Sequence, residues 1–450
     1  MAHSADTITA LATPVGTSAI AVVRVSGPGA AGLARALFGE VPPARQARRA
    51  DFRDRAGALL DDVLFTWFAG PNSFTGEDTL EISCHGNPFI AQKILEELAA
   101  RGCRLAEAGE FTKRAFLNGR MDLTQAEAVM DLIHARSERA LAAANQQLRG
   151  SLGRQMTALV SRLLDALARV EAYIDFPEED LPPEDRSSLQ RQLETLVADT
   201  QRLRATSQYG NLLREGIKTV ILGETNAGKS SLLNRLVGRE RALVSAEPGT
   251  TRDYLEERLV LGRHWFRLVD TAGLNESPTA LERRGIEKTL EQAADASVCL
   301  WVIDGTRPLP ALPPQLAGYM KRENTIAVIN KADLLPQDFA SPGLAFPTVI
   351  LSALDGRGFD ALASAIIHAA DTLLPDNDES LIAVNARHAH ALDEALQGLR
   401  SAAVRLAVET DSVLLASDLR VALAAYSQIA GKVDNEAMLD RLFATFCIGK

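Results

Sequence analysis

Ile217-Lys218-Thr219-Val220-Ile221-Leu222, followed by Gly223-Glu224-Thr225-Asn226-Ala227-Gly228-Lys229-Ser230, is the stretch on which the fold of this chain turns. A short β-branched run passes into a loop of the form GxxxxGK[ST], and apolar residues at helical spacing come after it. Each part of the loop has a physical task. The glycines let the backbone curl so that successive N–H groups face a phosphate, and a helix beginning near Lys229 adds its positive end to the same anion. Lys229 brings a point charge to the β/γ-phosphates, and the Ser230 hydroxyl can ligate Mg²⁺.

Beyond this loop, short β-branched runs (Trp265 to Val269, Ser297 to Ile303, Thr325 to Ile329, Thr348 to Leu351) alternate with helical stretches. That alternation predicts a parallel sheet with crossover helices. Polar motifs punctuate it: Gly249-Thr250-Thr251-Arg252-Asp253, Asp270-Thr271-Ala272-Gly273, Asn330-Lys331-Ala332-Asp333 and Ser352-Ala353. In this order they resemble the signature set of a P-loop GTPase domain. The resemblance makes Thr251 the switch threonine on Mg²⁺, Asp270 a holder of the metal through water, and the Gly273 N–H a contact of the γ-phosphate. Asp333 would read guanine, because one carboxylate accepts hydrogen bonds from both N1–H and N2–H₂, a pattern adenine cannot offer.

Many GTPases carry, just after the Asp-Thr-Ala-Gly motif, a glutamine that orients the attacking water. Here that position is Leu274, which cannot align a water, so another polar group must do so. The nearest candidate is Glu282 in Leu281-Glu282-Arg283-Arg284-Gly285-Ile286-Glu287. From its neighbours alone it reads also as a solvated helix residue paired with an arginine. Asn226 offers a side-chain carbonyl that can face a monovalent cation beside the phosphates, where positive charge would replace an arginine finger. An asparagine at this place is also an ordinary loop former.

The chain has 450 residues, which at about 150 per domain is room for about three domains. Hydrophobic residues at 46% and charged residues at 24% are the balance of a globular protein with a sizeable core. A net charge of −10 excludes a general nucleic-acid coater that grips chiefly by charge, while leaving room for a local site. Four cysteines without a CxxC pair argue against a zinc site or a disulfide framework and for a reducing compartment. No basic leader is visible and no apolar run approaches about 20 residues, so a cytoplasmic location with no membrane partner is expected.

Charge also locates the joints. Residues 1–120 carry 13 basic and 13 acidic side chains, 121–215 carry 11 and 15, 216–375 carry 17 and 19, and 376–450 carry 7 and 11. The second and fourth segments hold most of the acidity and share a helical texture, in Thr124 to Gln147, Leu189 to Arg204 and His388 to Val408. They are expected to form one all-α helical domain (121–215 plus 376–450) interrupted by an inserted α/β GTPase domain (216–375). The prolines in Phe176 to Pro183 predict a helix-to-helix loop. Residues 1–120 mix β-rich runs at Ala19 to Val25 and Val63 to Phe68 with a helical pattern at Pro88 to Ala100, as an α+β domain would.

Motifs outside the GTPase segment extend the resemblance. Pro71-Asn72-Ser73-Phe74-Thr75-Gly76-Glu77-Asp78, Gly109-Glu110-Phe111-Thr112, Ala115-Phe116-Leu117-Asn118-Gly119 and the terminal Phe446-Cys447-Ile448-Gly449-Lys450 closely resemble the MnmE (TrmE) family of tRNA-modification GTPases over essentially the full length. The resemblance implies a multidomain fold: an N-terminal α+β domain that binds 5-formyl-tetrahydrofolate or a related folate and dimerises, a central helical domain, and the inserted GTPase domain. It implies a homodimer that joins the FAD-dependent partner MnmG in a heterotetramer. Together they place an aminomethyl or carboxymethylaminomethyl group on C5 of the wobble uridine of certain tRNAs, with Mg²⁺-dependent, K⁺-stimulated GTP hydrolysis.

Carried over position by position, the nucleotide site comprises Asn226, Ala227, Gly228, Lys229, Ser230, Ser231, Ser245, Ala246, Glu247, Pro248, Gly249, Thr250, Thr251, Asp270, Thr271, Ala272, Gly273, Asn330, Lys331, Asp333, Ser352 and Ala353. Mg²⁺ falls to Ser230 and Thr251, and K⁺ to Asn226, Ser245, Glu247 and Thr250. Ser245 stands where a threonine is commoner, and Glu247 would ligate through its backbone carbonyl. The water-positioning role falls on Glu282. The folate contacts fall on Arg24, Glu81, Arg120 and Lys450, where a pterin offers N–H donors to Glu81 and basic groups meet the glutamate tail or formyl oxygen. Arg120 replaces a frequent lysine, which keeps charge and changes geometry. Cys447 reads either as a catalytic nucleophile or as a passive thiol.

The competing reading is a GTP-switched assembly factor that docks on ribosomal RNA. A ribosome-docking switch has no need of a folate-type domain or of the Cys-Ile-Gly-Lys terminus. The acidic balance of the helical segments implies that tRNA is held by local contacts and by the partner protein rather than by a broad basic face.

Overall fold

The computed structural model describes residues 6–175, 183–240, 256–271, 289–374, 382–408, 412–431 and 436–449. Two units emerge, Met1–Met130 with Ser427–Lys450, and Asp131–Tyr426. The expected loop at Phe176 to Pro183 falls almost wholly outside the described residues.

The first unit is built on six strands: β1 (Ile8–Leu11), β2 (Ile20–Ser26), β3 (Ala47–Arg53), β4 (Leu59–Phe68), β5 (Thr79–His85) and β6 (Arg104–Leu105). They lie in the order β3-β4-β5-β2-β1-β6, with β1 and β6 parallel and the other neighbours antiparallel. Alternation along β2 buries Val23 and Val25 with Leu80 and Ile82 of β5, and Ile94 and Leu98 of the helix Pro88–Ala100 complete that core. This helix begins where the sequence pattern puts it. The Asn87 side chain accepts a hydrogen bond from the Phe89 N–H, and Pro88 occupies a first-turn position whose N–H would have had no partner.

The C-terminal segment returns to the same unit. Ala108 pairs with Ile448, and Leu439, Phe443 and Phe446 share a core with Leu123, Ala126 and Met130. Gly109 makes this return possible. Its φ is 66°, and a Cβ there would lie 2.6 Å from the Phe443 carbonyl oxygen and 2.8 Å from the Phe446 Cβ. Gly109→Ala is therefore expected to destabilise the first unit by about 2 kcal/mol, from left-handed strain plus the clash. A urea unfolding midpoint unchanged from the parent chain would contradict this.

In the second unit the stretch Thr124 to Gln147 resolves into two helices, Leu123–His134 and Glu138–Leu148, the first of which starts in the other unit. The break has a local cause, since the Ser137 side chain accepts the Ala140 N–H at 3.2 Å and caps the second helix. Helix Pro183–Ala205 packs along helix Ala386–Ala407, burying Leu189, Leu193 and Leu196 on one and Leu392, Ala395 and Leu399 on the other. Thr200 Oγ1 and the Tyr426 hydroxyl meet at 2.5 Å inside this core.

The second sheet comprises β7 (Ile217–Gly223), β8 (Glu256–Leu261), β9 (His264–Asp270), β10 (Val298–Asp304), β11 (Thr325–Asn330) and β12 (Thr348–Ile350) in the order β12-β11-β10-β7-β9-β8. All pairs are parallel except β8 on β9. The expected parallel sheet is present, with an antiparallel edge strand added. Helices Lys229–Glu240 and Phe359–Leu373 cover one face through Leu232, Leu236, Leu362 and Ile366. Leu316 and Met320 help cover the other, over Val220, Leu222 and Trp301. Because β10 is buried along its whole length, it is apolar rather than alternating until the polar residue that ends it, Asp304.

Candidate functional site

The loop after β7 is shaped by steric necessity at both ends. A Cβ on Gly223 would lie 2.2 Å from the Val302 carbonyl oxygen, and one on Gly228 would lie 2.2 Å from Asn330 Nδ2. Between them Asn226 takes a left-handed φ of 66°, and its side chain is exposed. Lys229 opens the following helix and is buried, with Nζ donating to the carbonyls of Gly223 (3.1 Å) and Glu224 (2.8 Å). Burial pushes its pKa down, and the Asp270 charge opposes that shift.

Ser230 Oγ donates to Asp270 Oδ2 at 2.7 Å, which joins the loop to the end of β9. The second Asp270 oxygen, Oδ1, is buried and has no hydrogen-bond partner among the described residues. A hydroxyl and a carboxylate with an unsatisfied buried oxygen form a hard oxygen donor pair that fits Mg²⁺. Thr271 Oγ1 donates to the Ile221 carbonyl at 2.7 Å and fixes the chain as it leaves β9.

The ends of β11 and β12 complete the site. Asn330 Nδ2 donates to the Ala227 carbonyl at 2.9 Å, while its Oδ1 accepts the Ala353 N–H at 2.9 Å. Asp333 Oδ1 accepts from Ser352 Oγ at 2.6 Å. Lys331, at φ 67°, sends Nζ to Asp304 Oδ2 at 2.6 Å. Burial would raise the Asp304 pKa, but the bonds from Lys331 and Thr306 outweigh it and hold the carboxyl below its ordinary range.

Two supporting residues escaped the sequence reading. Asp304 ends β10 and holds Lys331. Arg235 holds the loop after Ser352 through the carbonyls of Leu354 (2.6 Å) and Asp355 (2.8 Å). Nothing in the local sequence of Arg235 announces that contact. The candidates Ser245, Ala246, Glu247, Pro248, Gly249, Thr250, Thr251, Ala272, Gly273 and Glu282 lie outside the described residues. Ser231 sits in the first turn of helix Lys229–Glu240, next to Ser230, and is exposed.

A second constellation lies in the first unit. Arg24 and Glu81 face each other across β2 and β5, and Arg24 Nε and Nη2 donate to Glu81 Oε1 at 2.9 and 2.7 Å. Arg24 Nη1 also reaches the Gly449 carbonyl at 3.4 Å, and the guanidinium stands over the rings of Phe74 (5.6 Å) and Phe111 (5.7 Å). Gly449 is where it is because a Cβ there would lie 2.2 Å from the Leu11 carbonyl. Beneath them Arg114 binds Asp6, Glu110 and Glu77, and Glu77 accepts from Ser26 Oγ at 2.8 Å. Arg120 is exposed beside Gly76, Cys447 is an exposed thiol, and Lys450 lies outside the described residues. Phe74 and Phe111 were legible as motif members but not as the rings that hold Arg24.

Comparison with known sequences decides the family. The model of the TrmE N-terminus, described as a GTP-binding protein, matches residues 7–120, and the MnmE helical domain model matches residues 123–447. The tRNA modification GTPase MnmE of Opitutus terrae is 58% identical, with 99% of each chain covered. The chain belongs to the MnmE family. The MnmE proteins of Akkermansia muciniphila (44% identical, 99% of each chain covered) and Proteus mirabilis (39% identical, 100% of each) match over the same span. Across that span the relatives run the length of both units, so the family includes the sheet that holds Arg24 and Glu81 as well as the loop around Lys229.

Gly228→Ala is expected to push Asn330 out of its bridge and to weaken GTP binding by more than about tenfold, the loss of one well-placed buried hydrogen bond. Calorimetric titration of the full chain checks it, and an unchanged dissociation constant would show that the Ala227–Asn330–Ala353 geometry does not shape the site.

Proposed function

We propose that the chain is a GTP hydrolase acting in tRNA modification, with GTP seated between Lys229 and Asp333. The observation that carries this is the single connected arrangement of the second unit. Lys229 and Ser230 stand at one end and Asp333 with Ser352 at the other, linked by the Ala227–Asn330–Ala353 bonds. Lys229 would meet the β/γ-phosphates, Ser230 and Asp270 would hold Mg²⁺ with Thr251, and Asp333 would pair with guanine. Bound Mg²⁺ would neutralise charge that develops on the phosphates.

The finer reading follows the domain layout 1–120, 121–215 with 376–450, and 216–375. The chain acts as a homodimer with the FAD-dependent partner MnmG, and its target is C5 of the wobble uridine, which receives an aminomethyl or carboxymethylaminomethyl group. K⁺ is held by Asn226, Ser245, Glu247 and Thr250, and Glu282 positions the attacking water. A formyl-tetrahydrofolate sits at Arg24, Glu81, Arg120 and Lys450. The first unit supports that last step: Oε1 of Glu81 takes both Arg24 bonds, leaving Oε2 for a ring N–H, and Phe74 and Phe111 offer flat apolar surfaces beside it. Cys447 is kept as a candidate nucleophile by its exposure alone.

Two salts and one variant test the hydrolytic part. GTP turnover of the full chain should be on the order of tenfold or more faster in K⁺ than in Na⁺ at equal ionic strength. Glu282→Ala should bind GTP unchanged and lose on the order of 100-fold in turnover. Equal rates in the two salts remove the cation assignment, and full turnover in the variant removes the role of Glu282.

A further inference from the structure

The loop that follows β12 closes on itself. The Ser352 N–H donates to the Arg357 carbonyl at 3.0 Å, the Gly356 N–H donates to the Ser352 carbonyl at 2.9 Å, and Ser352 Oγ accepts the Asp355 N–H at 3.2 Å. Three successive carbonyls of this loop are gathered by one side chain. Arg235 Nη1 donates to Ala353 at 3.5 Å and to Leu354 at 2.6 Å, and Nη2 donates to Asp355 at 2.8 Å.

The guanidinium fills this turn as well as neutralising it. A Cβ on Gly356, whose φ is 92°, would lie 2.4 Å from Arg235 Nη2 and 3.0 Å from Cζ, and Cζ itself lies 5.8 Å from the ring centroid of the buried Phe359. Carbonyl oxygens brought this close together repel one another unless donors stand between them. A planar fork of N–H groups serves all three at once, whereas an ammonium is a single point of charge.

Arg235 also belongs to the phosphate end of the site. It lies on the helix Lys229–Glu240, six residues after Lys229 and so about 9 Å further along the axis. The helix that presents Lys229 and Ser230 therefore holds the loop after β12 with its next turns. That loop carries Ser352, whose Oγ donates to Asp333 Oδ1 at 2.6 Å and so orients the carboxylate. Accepting both N1–H and N2–H₂ from one guanine requires the carboxylate to lie in the plane of the base, so a turned carboxylate loses one of the two bonds.

We propose that Arg235 is a positioning residue for base recognition, setting Ser352 and through it the Asp333 carboxylate, so that the chain's preference for guanine depends on a side chain that does not itself touch the base. This rests on the seating of guanine at Asp333 proposed above. The nucleotide that isolates the effect is inosine diphosphate, whose hypoxanthine keeps N1–H and lacks the 2-amino group while sharing every ribose and phosphate contact with GDP.

The test titrates the full chain with GDP and with inosine diphosphate by calorimetry in Mg²⁺, for the parent, Arg235→Met and Arg235→Lys. In the parent, GDP should bind at least about tenfold tighter than inosine diphosphate. In Arg235→Met that ratio should fall at least about fivefold, and Arg235→Lys should lie between the two, because it keeps the charge and loses the fork. A merely structural role would weaken both nucleotides equally and leave the ratio alone. If Arg235→Met binds neither nucleotide, the ratio in Arg235→Lys decides. A parental preference for GDP that survives unchanged in the variants overturns the role of Arg235 alone, whereas equal binding of the two nucleotides by the parent overturns the seating of guanine at Asp333 and this inference with it.

Discussion

The second unit depends on one side-chain amide. Asn330 gives its N–H₂ to the Ala227 carbonyl and takes the Ala353 N–H on its oxygen, so a single rigid group fixes the phosphate end of the site and the base end at once. Both contacts are buried, where an unmade hydrogen bond costs about 1–3 kcal/mol, so the amide has one arrangement that satisfies it. Gly228 must then be glycine, because any side chain would occupy the place of Asn330 Nδ2. The sheet delivers these partners: β11 carries Asn330 at its end, β12 leads to Ser352 and Ala353, and β7 leads into the loop. Ligand sites of open parallel sheets form at these strand ends.

The first unit is organised by a different pair. Arg24 and Glu81 are register partners on adjacent strands, and their ion pair is partly shielded, with side-chain exposures of 17% and 27%. Exposed ion pairs contribute little, but here the guanidinium is also sandwiched near two aromatic rings and touches the backbone of the C-terminal segment. The terminus therefore forms part of the constellation rather than trailing from it. At Gly109 and Gly449 the backbone of the C-terminal segment and that of the rest of the unit come too close for any Cβ.

Much of this could be read in advance, and what could not be read has identifiable causes. The helix Pro88–Ala100 was legible to the residue because Asn87 and Pro88 are start signals written next to each other. The central strands were legible because burial on both faces makes them continuous apolar runs. The break at Ser137 was not, since Ala and Leu on both sides continue a helical texture across it. The antiparallel β8 was missed because an edge strand carries charge, as in Glu256-Glu257-Arg258, and lacks the apolar signature of its neighbours. Lys229, Ser230, Asp270, Asn330 and Asp333 were legible because phosphate and guanine recognition confine the residue type and spacing. Asp304 and Arg235 were not, because they hold Lys331 and the carbonyl of Leu354 from 27 and 119 positions away, and many chain geometries could have supplied such contacts.

The central claim is that the site around Lys229 and Asn330 drives a modification of tRNA. It is tested most directly by nucleoside analysis of total tRNA from cells lacking this protein, complemented with either the parent chain or Lys229→Ala. The account predicts that the C5-substituted wobble uridine is absent without the protein, restored by the parent chain and not restored by the variant. Unaltered wobble uridine in the cells lacking the protein, or full restoration by Lys229→Ala, would contradict it.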